Sequence, residues 1–289
     1  MPALLIILSG FTGLAEGILV KKYNGKHGKG GFIFTAFISL FSMLFFLFQD
    51  LITDKGGFTV TLGIIPYAII AGILYCSASF LTYIALGCGP FAISMLILSY
   101  AGVFSIIYGL VFLSEPASAF TYIGLALIMI SLYLTRTDNR GEEKKAISLK
   151  WIICIAVSVF GSGMFGVIMR MQQIAFDYAY DNEFMVISLG FSAVTLFIIG
   201  LIKDGRDLKY TLRYGLPYGA GAGLSNGATN TISLILNTKM AISISSPIRT
   251  AVKIIFSFLC SIFIFKEKFL TRQLIGVVLG GLALIFLNF

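Results

Sequence analysis

Arg249 and Lys253 stand four residues apart inside one apolar run, residues 240–265. In a helix that spacing is one turn, so both side chains leave the same face. A charge at mid-membrane costs at least ~2.5–3.5 kcal/mol on insertion scales, so two of them require partners or a wet cavity. Arginine offers a planar fork of donors and lysine a mobile point charge, a combination suited to a carboxylate or phosphate. The structural alternative is an internal ion pair with Glu16, or stems that carry the charges out to the headgroups. Glu16 is the one acid well inside an early apolar run. With Ser9 and Thr12 it forms a polar stripe at helical spacing. It reads as a proton-coupling site or counter-charge, or as a side chain that reaches the interface beside Lys21.

A hydrogen-bonding face accompanies these charges. The string GAGAGLSNGATN (219–230) places Asn226 and Asn230 one turn apart, and Ser233 and Asn237 continue the stripe. Its small residues permit close helix approach, while the asparagines are expected to line a cavity. Tyr75 and Tyr100 are further candidates for the lining, each with an apolar body and a polar tip. Ser158, Ser162, Gly166 and Arg170 make a weaker stripe, with Arg170 close enough to the end of its run to be expected among headgroups. Pro66, Pro217 and Pro247 are candidate hinges, because a proline inside a helix removes a hydrogen bond and kinks it.

The elements that must hold these residues are membrane spans. The chain is 58% hydrophobic and 12% charged, with mean hydropathy +0.96. Soluble domains average about 25% charged residues. Ten runs have the ~17–25 residues a span needs: about 2–21, 31–49, 61–86, 91–113, 118–135, 151–171, 184–202, 212–237, 240–265 and 270–288. All-helical structure follows, because an open sheet would leave backbone groups unpaired in hydrocarbon. The net charge of +8 sits mainly in short loops, which indicates membrane orientation and argues against nucleic acid as a partner. The four cysteines lie in or beside apolar runs, without metal-ligand spacing, and read as free and buried. The single histidine, His27, sits in the basic loop KKYNGKHGKGG, so neither a metal nor a cofactor is expected. The sequence has no P-loop for ATP-driven pumping and no catalytic constellation. The N-terminus lacks the basic region and small-residue cleavage site of a signal peptide.

Residues 103–134 and 255–286 repeat one pattern at an offset of 152 positions: Phe104 falls on Phe256, Ser105 on Ser257, Glu115 on Glu267 and Gly124 on Gly276. Each copy is an apolar run, a glutamate corner and a second apolar run. Pro66 and Pro217 occupy nearly equivalent places in that repeat. Five spans per half is an odd number, which inverts the second half relative to the first. The expected fold is therefore all-α and integral to the membrane, with ten transmembrane helices in two inverted five-helix repeats. Residues 1–135 form the first, 136–150 a polar cytosolic linker, and 151–289 the second. Lys and Arg concentrate in the loops after spans 1, 3, 5, 7 and 9, whereas only Lys55, Arg170 and Lys239 fall on the other side. The positive-inside rule puts the basic side in the cytosol and both termini outside. Trp151, beside Lys150, suits an interfacial anchor.

The segments FLSEPASAFTYIGLALIMI (112–130) and IFKEKFLTRQLIGVVLGGLAL (264–284) resemble the drug/metabolite transporter superfamily, in its ten-helix EamA-like branch. The likeness implies alternating access and a centre lined by spans 1, 3, 4, 6, 8 and 9, with spans 5 and 10 at the periphery. Glu115 and Glu267 resemble the family's corner glutamates, with a structural role near helix N-termini. Basic residues on span 9 resemble the sugar-phosphate and nucleotide-sugar branch. GLAEGILVKK, around Glu16, is similar to the first helix of small multidrug resistance proteins, where an embedded glutamate binds protons or cations.

The expected function is secondary active transport of a small polar metabolite with an anionic group: an organic acid, an amino acid or a phosphorylated compound. Arg249 and Lys253 would hold the anion, and Glu16 would balance charge or carry a coupling proton. The alternative is a proton-coupled exporter of cationic compounds working through Glu16. A membrane enzyme or sensor is disfavoured for want of a catalytic or signalling element. The expected setting is the cytoplasmic membrane of a prokaryote, with the lipid bilayer as solvent. A monomer suffices, because one chain carries both halves; a dimer is compatible with the same reading.

Overall fold

The structure, a computed structural model, describes residues 2–53, 58–113, 119–135, 148–240, 242–266 and 271–286. The corner glutamates Glu115 and Glu267, together with linker residues 136–147, lie outside the described residues. What is described is almost wholly helical: α1 (Pro2–Lys26), α2 (Gly31–Thr53), α3 (Ile64–Cys88), α4 (Phe91–Ser99), α5 (Gly102–Phe112), α6 (Ala119–Thr135), α7 (Leu149–Ala175), α8 (Asp181–Lys203), α9 (Leu208–Lys239), α10 (Ile242–Phe263) and α11 (Thr271–Phe286). Among the described residues, six stretches are long and apolar enough to cross a membrane: α1, α2, α3, the α4–α5 pair, α7 and α8. Apolar side chains such as Phe11, Phe48, Ile73 and Val194 stand exposed on their outer faces. That is the arrangement expected where lipid replaces water.

Helices outrun the apolar runs that announce them. The sequence places the first span at 2–21, but α1 continues through Lys26. Its closing turn is held by backbone bonds from His27 N (2.8 Å) and Gly28 N (3.2 Å) to Tyr23 O. Likewise α9 begins at Leu208, four residues before its apolar run. Ser148 starts α7 by accepting the Trp151 N–H at 3.2 Å. Such a cap satisfies one of the donors a helix N-terminus leaves free.

The span expected at 91–113 is two helices. At the joint, Tyr100 N and Ala101 N donate to Ile97 O (3.0 Å) and Leu98 O (3.2 Å), and Val103 N donates to Tyr100 O (3.0 Å). Bonds three residues back tighten the turn and interrupt the α-helix at mid-span.

The helices pack in a definite network. α1 lies against α9, α3 against α7, α2 against α8 and α6 against α11. Further seams join α2 to α9, α3 to α8, α1 to α10, and the α4–α5 pair to both α7 and α10. Glycines set the closest of these approaches, two of them as follows. A Cβ at Gly223 of α9 would sit 2.5 Å from the Ile38 carbonyl oxygen of α2. A Cβ at Gly72 of α3 would sit 2.8 Å from the Ser188 carbonyl oxygen of α8. Only glycine permits backbones this near.

Three expectations are corrected by burial. Trp151 is no interfacial anchor: it is 4% exposed, and its indole N–H donates to Ser94 Oγ at 3.1 Å. Arg170 is not among headgroups: it is 7% exposed and donates to the Tyr178 hydroxyl (3.0 Å) and the Asn237 carbonyl (2.9 Å). The four cysteines are free, but only Cys154 is buried and Cys88 is exposed.

Candidate functional site

A cavity of about 290 Å³ opens at the centre of the bundle. α1 contributes Ser9, Gly13 and Glu16; α9 contributes Asn226, Thr229 and Asn230; α10 contributes Arg249 and Lys253. Tyr75 reaches it from α3, Ser99 from α4, and Ser162 and Phe165 from α7. Thus Glu16, Tyr75, Asn226, Asn230, Arg249 and Lys253, drawn from four separate helices, line one space. These helices, with the α4–α5 pair and α7, are spans 1, 3, 4, 6, 8 and 9 of the sequence reading, and Ile38 adds a contact from α2.

The bonds within the cavity give it direction. The Asn226 amide nitrogen donates to Glu16 Oε2 at 3.1 Å. Its carbonyl oxygen accepts from the Asn230 amide at 2.9 Å and lies 2.9 Å from the Ser42 hydroxyl of α2. Arg249 donates to the Ser233 hydroxyl. The Lys253 stem passes Gly13, where a Cβ would stand 3.6 Å from the lysine Cε. Glu16 and Lys253 lie within electrostatic reach of one another. Thr12 turns from the cavity to bond Thr229 Oγ1 at 2.7 Å, joining α1 to α9.

Tyr75 is the exception to this satisfaction. It is 8% exposed, and no donor or acceptor stands within 3.5 Å of its hydroxyl, although the Ser42 hydroxyl is a near neighbour. A buried hydroxyl left unpaired costs free energy, and a ligand with a donor or acceptor would recover it. Tyr100, by contrast, lies outside the cavity lining. Its hydroxyl meets Ser131 Oγ of α6 at 2.9 Å, and Ser131 in turn donates to the Gly276 carbonyl of α11 at 2.6 Å.

The candidate hinges separate by position. Pro66 is the third residue of α3. In a first turn a proline forfeits no intrahelical bond, so it cannot kink the helix interior. Pro217 lies inside α9. Pro247 falls within α10, and its side chain is outside the described residues.

Ser42 is the site residue that reading along the chain misses. Thr35, Ser39 and Ser42 are all fully buried on α2, at spacings of four and three. Hydroxyls recurring at helical spacing on so apolar a helix were the available signal.

A larger cleft, about 520 Å³, lies elsewhere, between the end of α2, the start of α8 and the end of α9. Its described lining carries carboxylates but no lysine or arginine, and each carboxylate accepts a hydrogen bond. Asn182 donates to Asp50 (3.4 Å), Gln173 to Asp181 (3.0 Å) and the Thr59 N–H to Glu183 (3.4 Å). The central cavity therefore holds the stronger claim to a ligand. Among the described residues no cluster of histidine, cysteine and carboxylate side chains could hold a metal ion. His27 instead stacks on Tyr214 at 5.2 Å and bonds the Tyr210 hydroxyl at 2.9 Å.

No family model and no curated protein matches the sequence. The fold has a counterpart in a solved crystal structure described only as that of a protein. It is 13% identical, with TM-score 0.60, over 96% of this chain and 97% of its own. At that identity the likeness speaks for the fold alone.

Proposed function

We propose that this protein is a secondary transporter that moves a small polar metabolite bearing an anionic group through the central cavity by alternating access. The observation that carries the reading is the charge balance of that cavity. Two cations, Arg249 and Lys253, share it with one carboxylate, Glu16. When all three are ionised, the described lining carries a net positive charge. An anionic ligand would neutralise it, and in a site shielded from water such pairing is worth more than at a surface. Asn230 and the unpaired Tyr75 hydroxyl supply hydrogen bonds to the rest of the solute.

The packing supports a ten-span chain made of two inverted repeats. Exchange α1 with α7, α2 with α8, α3 with α9, the α4–α5 pair with α10, and α6 with α11. Each seam described above then maps onto another seam or onto itself. The close glycines pair in the same way. Gly72 against Ser188 answers Gly223 against Ile38, and Gly10 beside Val252 answers Gly163 beside Ala101. Repeats of this kind place the substrate at their interface near mid-membrane. This arrangement fits the drug/metabolite transporter superfamily, with the basic loops cytosolic and the chain in the cytoplasmic membrane of a prokaryote.

A second reading, a proton-coupled exporter of cationic compounds, draws support from Glu16 itself, which faces the cavity and not the interface. One screen separates the two. Purified protein is melted in the presence of amino acids, organic acids, sugar phosphates, nucleotide sugars and organic cations. A ligand at a hundredfold excess over its Kd stabilises the native state by about 2.7 kcal/mol. The anion reading expects stabilisation by an acid or zwitterion, lost in Arg249→Gln. Stabilisation by cations alone, lost in Glu16→Gln, would transfer the function to the second reading.

A further inference from the structure

We infer that Ser42 is a positioning residue of the central cavity, whose hydroxyl lets the Asn226 amide turn over when Glu16 gains or loses a proton. The inference rests on the reading of Glu16 as the acid that carries charge in this cavity. Its starting point is a count of protons. Ser42 Oγ lies 2.7 Å from the Gly223 carbonyl and 2.9 Å from Asn226 Oδ1, and both neighbours are acceptors. A serine hydroxyl has one hydrogen, so it serves one of them at a time.

The Asn226 amide resolves that competition differently in the two charge states of Glu16. With Glu16 ionised, only the nitrogen end of the amide can face it, and the 3.1 Å bond to Oε2 has that orientation. The carbonyl end then points to Ser42 and Asn230, and Ser42 must choose between Gly223 and Asn226. When Glu16 takes up a proton from the cavity it becomes a donor. The favourable partner is now the amide oxygen, and the amide rotates by half a turn. Its nitrogen donates to Ser42 Oγ, which in turn donates to the Gly223 carbonyl. No donor or acceptor in that arrangement competes with another. Asn230 follows by turning its own amide.

The consequence is that α2, which contributes no charge to the cavity, senses the charge on α1. Ser42 is fully buried, and its helix lies against α9 at the Gly223 close approach. The hydrogen bond to that seam is complete only when Glu16 is neutral. The ionisable groups facing Glu16 from the helices packed on α1 are Lys253 and Arg249 of α10 and Tyr75 of α3. From α9 come only amides and a hydroxyl, Asn226, Asn230 and Thr229.

The test needs no substrate, so it is independent of the transport reading. Isotope-labelled protein in lipid nanodiscs is titrated from alkaline to acid pH. The Asn226 side-chain NH2 protons, assigned by their loss in Asn226→Ala, are followed by their through-space cross-peaks. In the wild type the cross-peaks should pass from the Glu16 side chain to the Ser42 side chain as pH falls. Glu16→Gln should abolish the change. Ser42→Ala should abolish it too, at a near-normal melting temperature, while Ser42→Thr should keep it. Wild-type cross-peaks that never change would overturn the inference. So would a switch that persists in Ser42→Ala, or one that survives Glu16→Gln and so belongs to Lys253.

Discussion

Replacing Gly223 by alanine tests the seam that aligns Ser42 with Asn226. The new Cβ would lie 2.5 Å from the Ile38 carbonyl oxygen, 2.7 Å from Phe41 Cβ and 3.1 Å from the Ser42 nitrogen. Two of these three are backbone atoms, which cannot swing aside as a side-chain tip can. Restoring ordinary contact needs α2 and α9 to part by roughly 1 Å, and overpacking of this sort costs about 1–3 kcal/mol. At about 2–4 °C per kcal/mol, the melting temperature should fall by several degrees. Gly221 on the same helix is the control: its nearest neighbour is Leu19 Cδ1, at 3.0 Å, the end of a flexible side chain. Gly221→Ala should melt within a degree or two of wild type. Thermal unfolding of both variants in one detergent, followed by intrinsic fluorescence, gives the comparison. If Gly223→Ala melts no lower than Gly221→Ala, the α2–α9 approach is misdescribed and the positioning role of Ser42 loses its footing.

Tyr75→Phe should leave stability unchanged or raise it, because the hydroxyl it removes is buried and unpaired. It should weaken ligand binding by about three- to tenfold, the worth of one hydrogen bond of ~0.5–1.5 kcal/mol; unchanged affinity would remove Tyr75 from the site. Glu16→Gln and Lys253→Gln each strand a charge in the cavity, so the double variant should be more stable than the two single losses sum to, by about 0.5–3 kcal/mol. Strict additivity in the double-mutant cycle would show that the two do not interact. Arg170→Met should lower the melting temperature by several degrees. It removes the donors to Tyr178 and Asn237 that hold the Phe176–Tyr180 turn, where Asp177, Tyr178 and Tyr180 have positive φ. Normal melting would show the turn holds itself.

The helices and the convergence of charge were legible because each follows from one-dimensional rules. Apolar length gives spans, and one-turn spacing puts Arg249 and Lys253 on one face. An intramembrane acid such as Glu16 is expected to face a cavity. What stayed hidden depends on distance between helices. Trp151 reads as an anchor from its place beside Lys150, yet Ser94, fifty-seven residues earlier, provides the buried acceptor for its indole. Arg170 looks like a headgroup residue by its position near the end of a run, until Asn237 and the Tyr178 loop close over it. Tyr100 lies off the cavity because its hydroxyl bonds Ser131 of α6, a partner that apolar periodicity does not register. Helix ends were misplaced for a simpler reason. Backbone hydrogen bonding continues into polar residues such as Lys22 and Lys26, where hydropathy has already fallen.

The measurement that bears most directly on the central claim is counterflow of anionic solutes into liposomes, comparing wild type with the Arg249→Gln/Lys253→Gln double variant. Each lost charge-assisted bond is worth about 1.5–3 kcal/mol, so the pair should weaken transport at limiting solute by at least ~100-fold. Wild-type protein that accumulates an organic acid, amino acid or phosphorylated compound, beside a double variant that still folds, less stable for leaving Glu16 without a counter-charge, but carries none, is the expected result. Equal transport by the double variant, or a wild type that carries only cations, would contradict it.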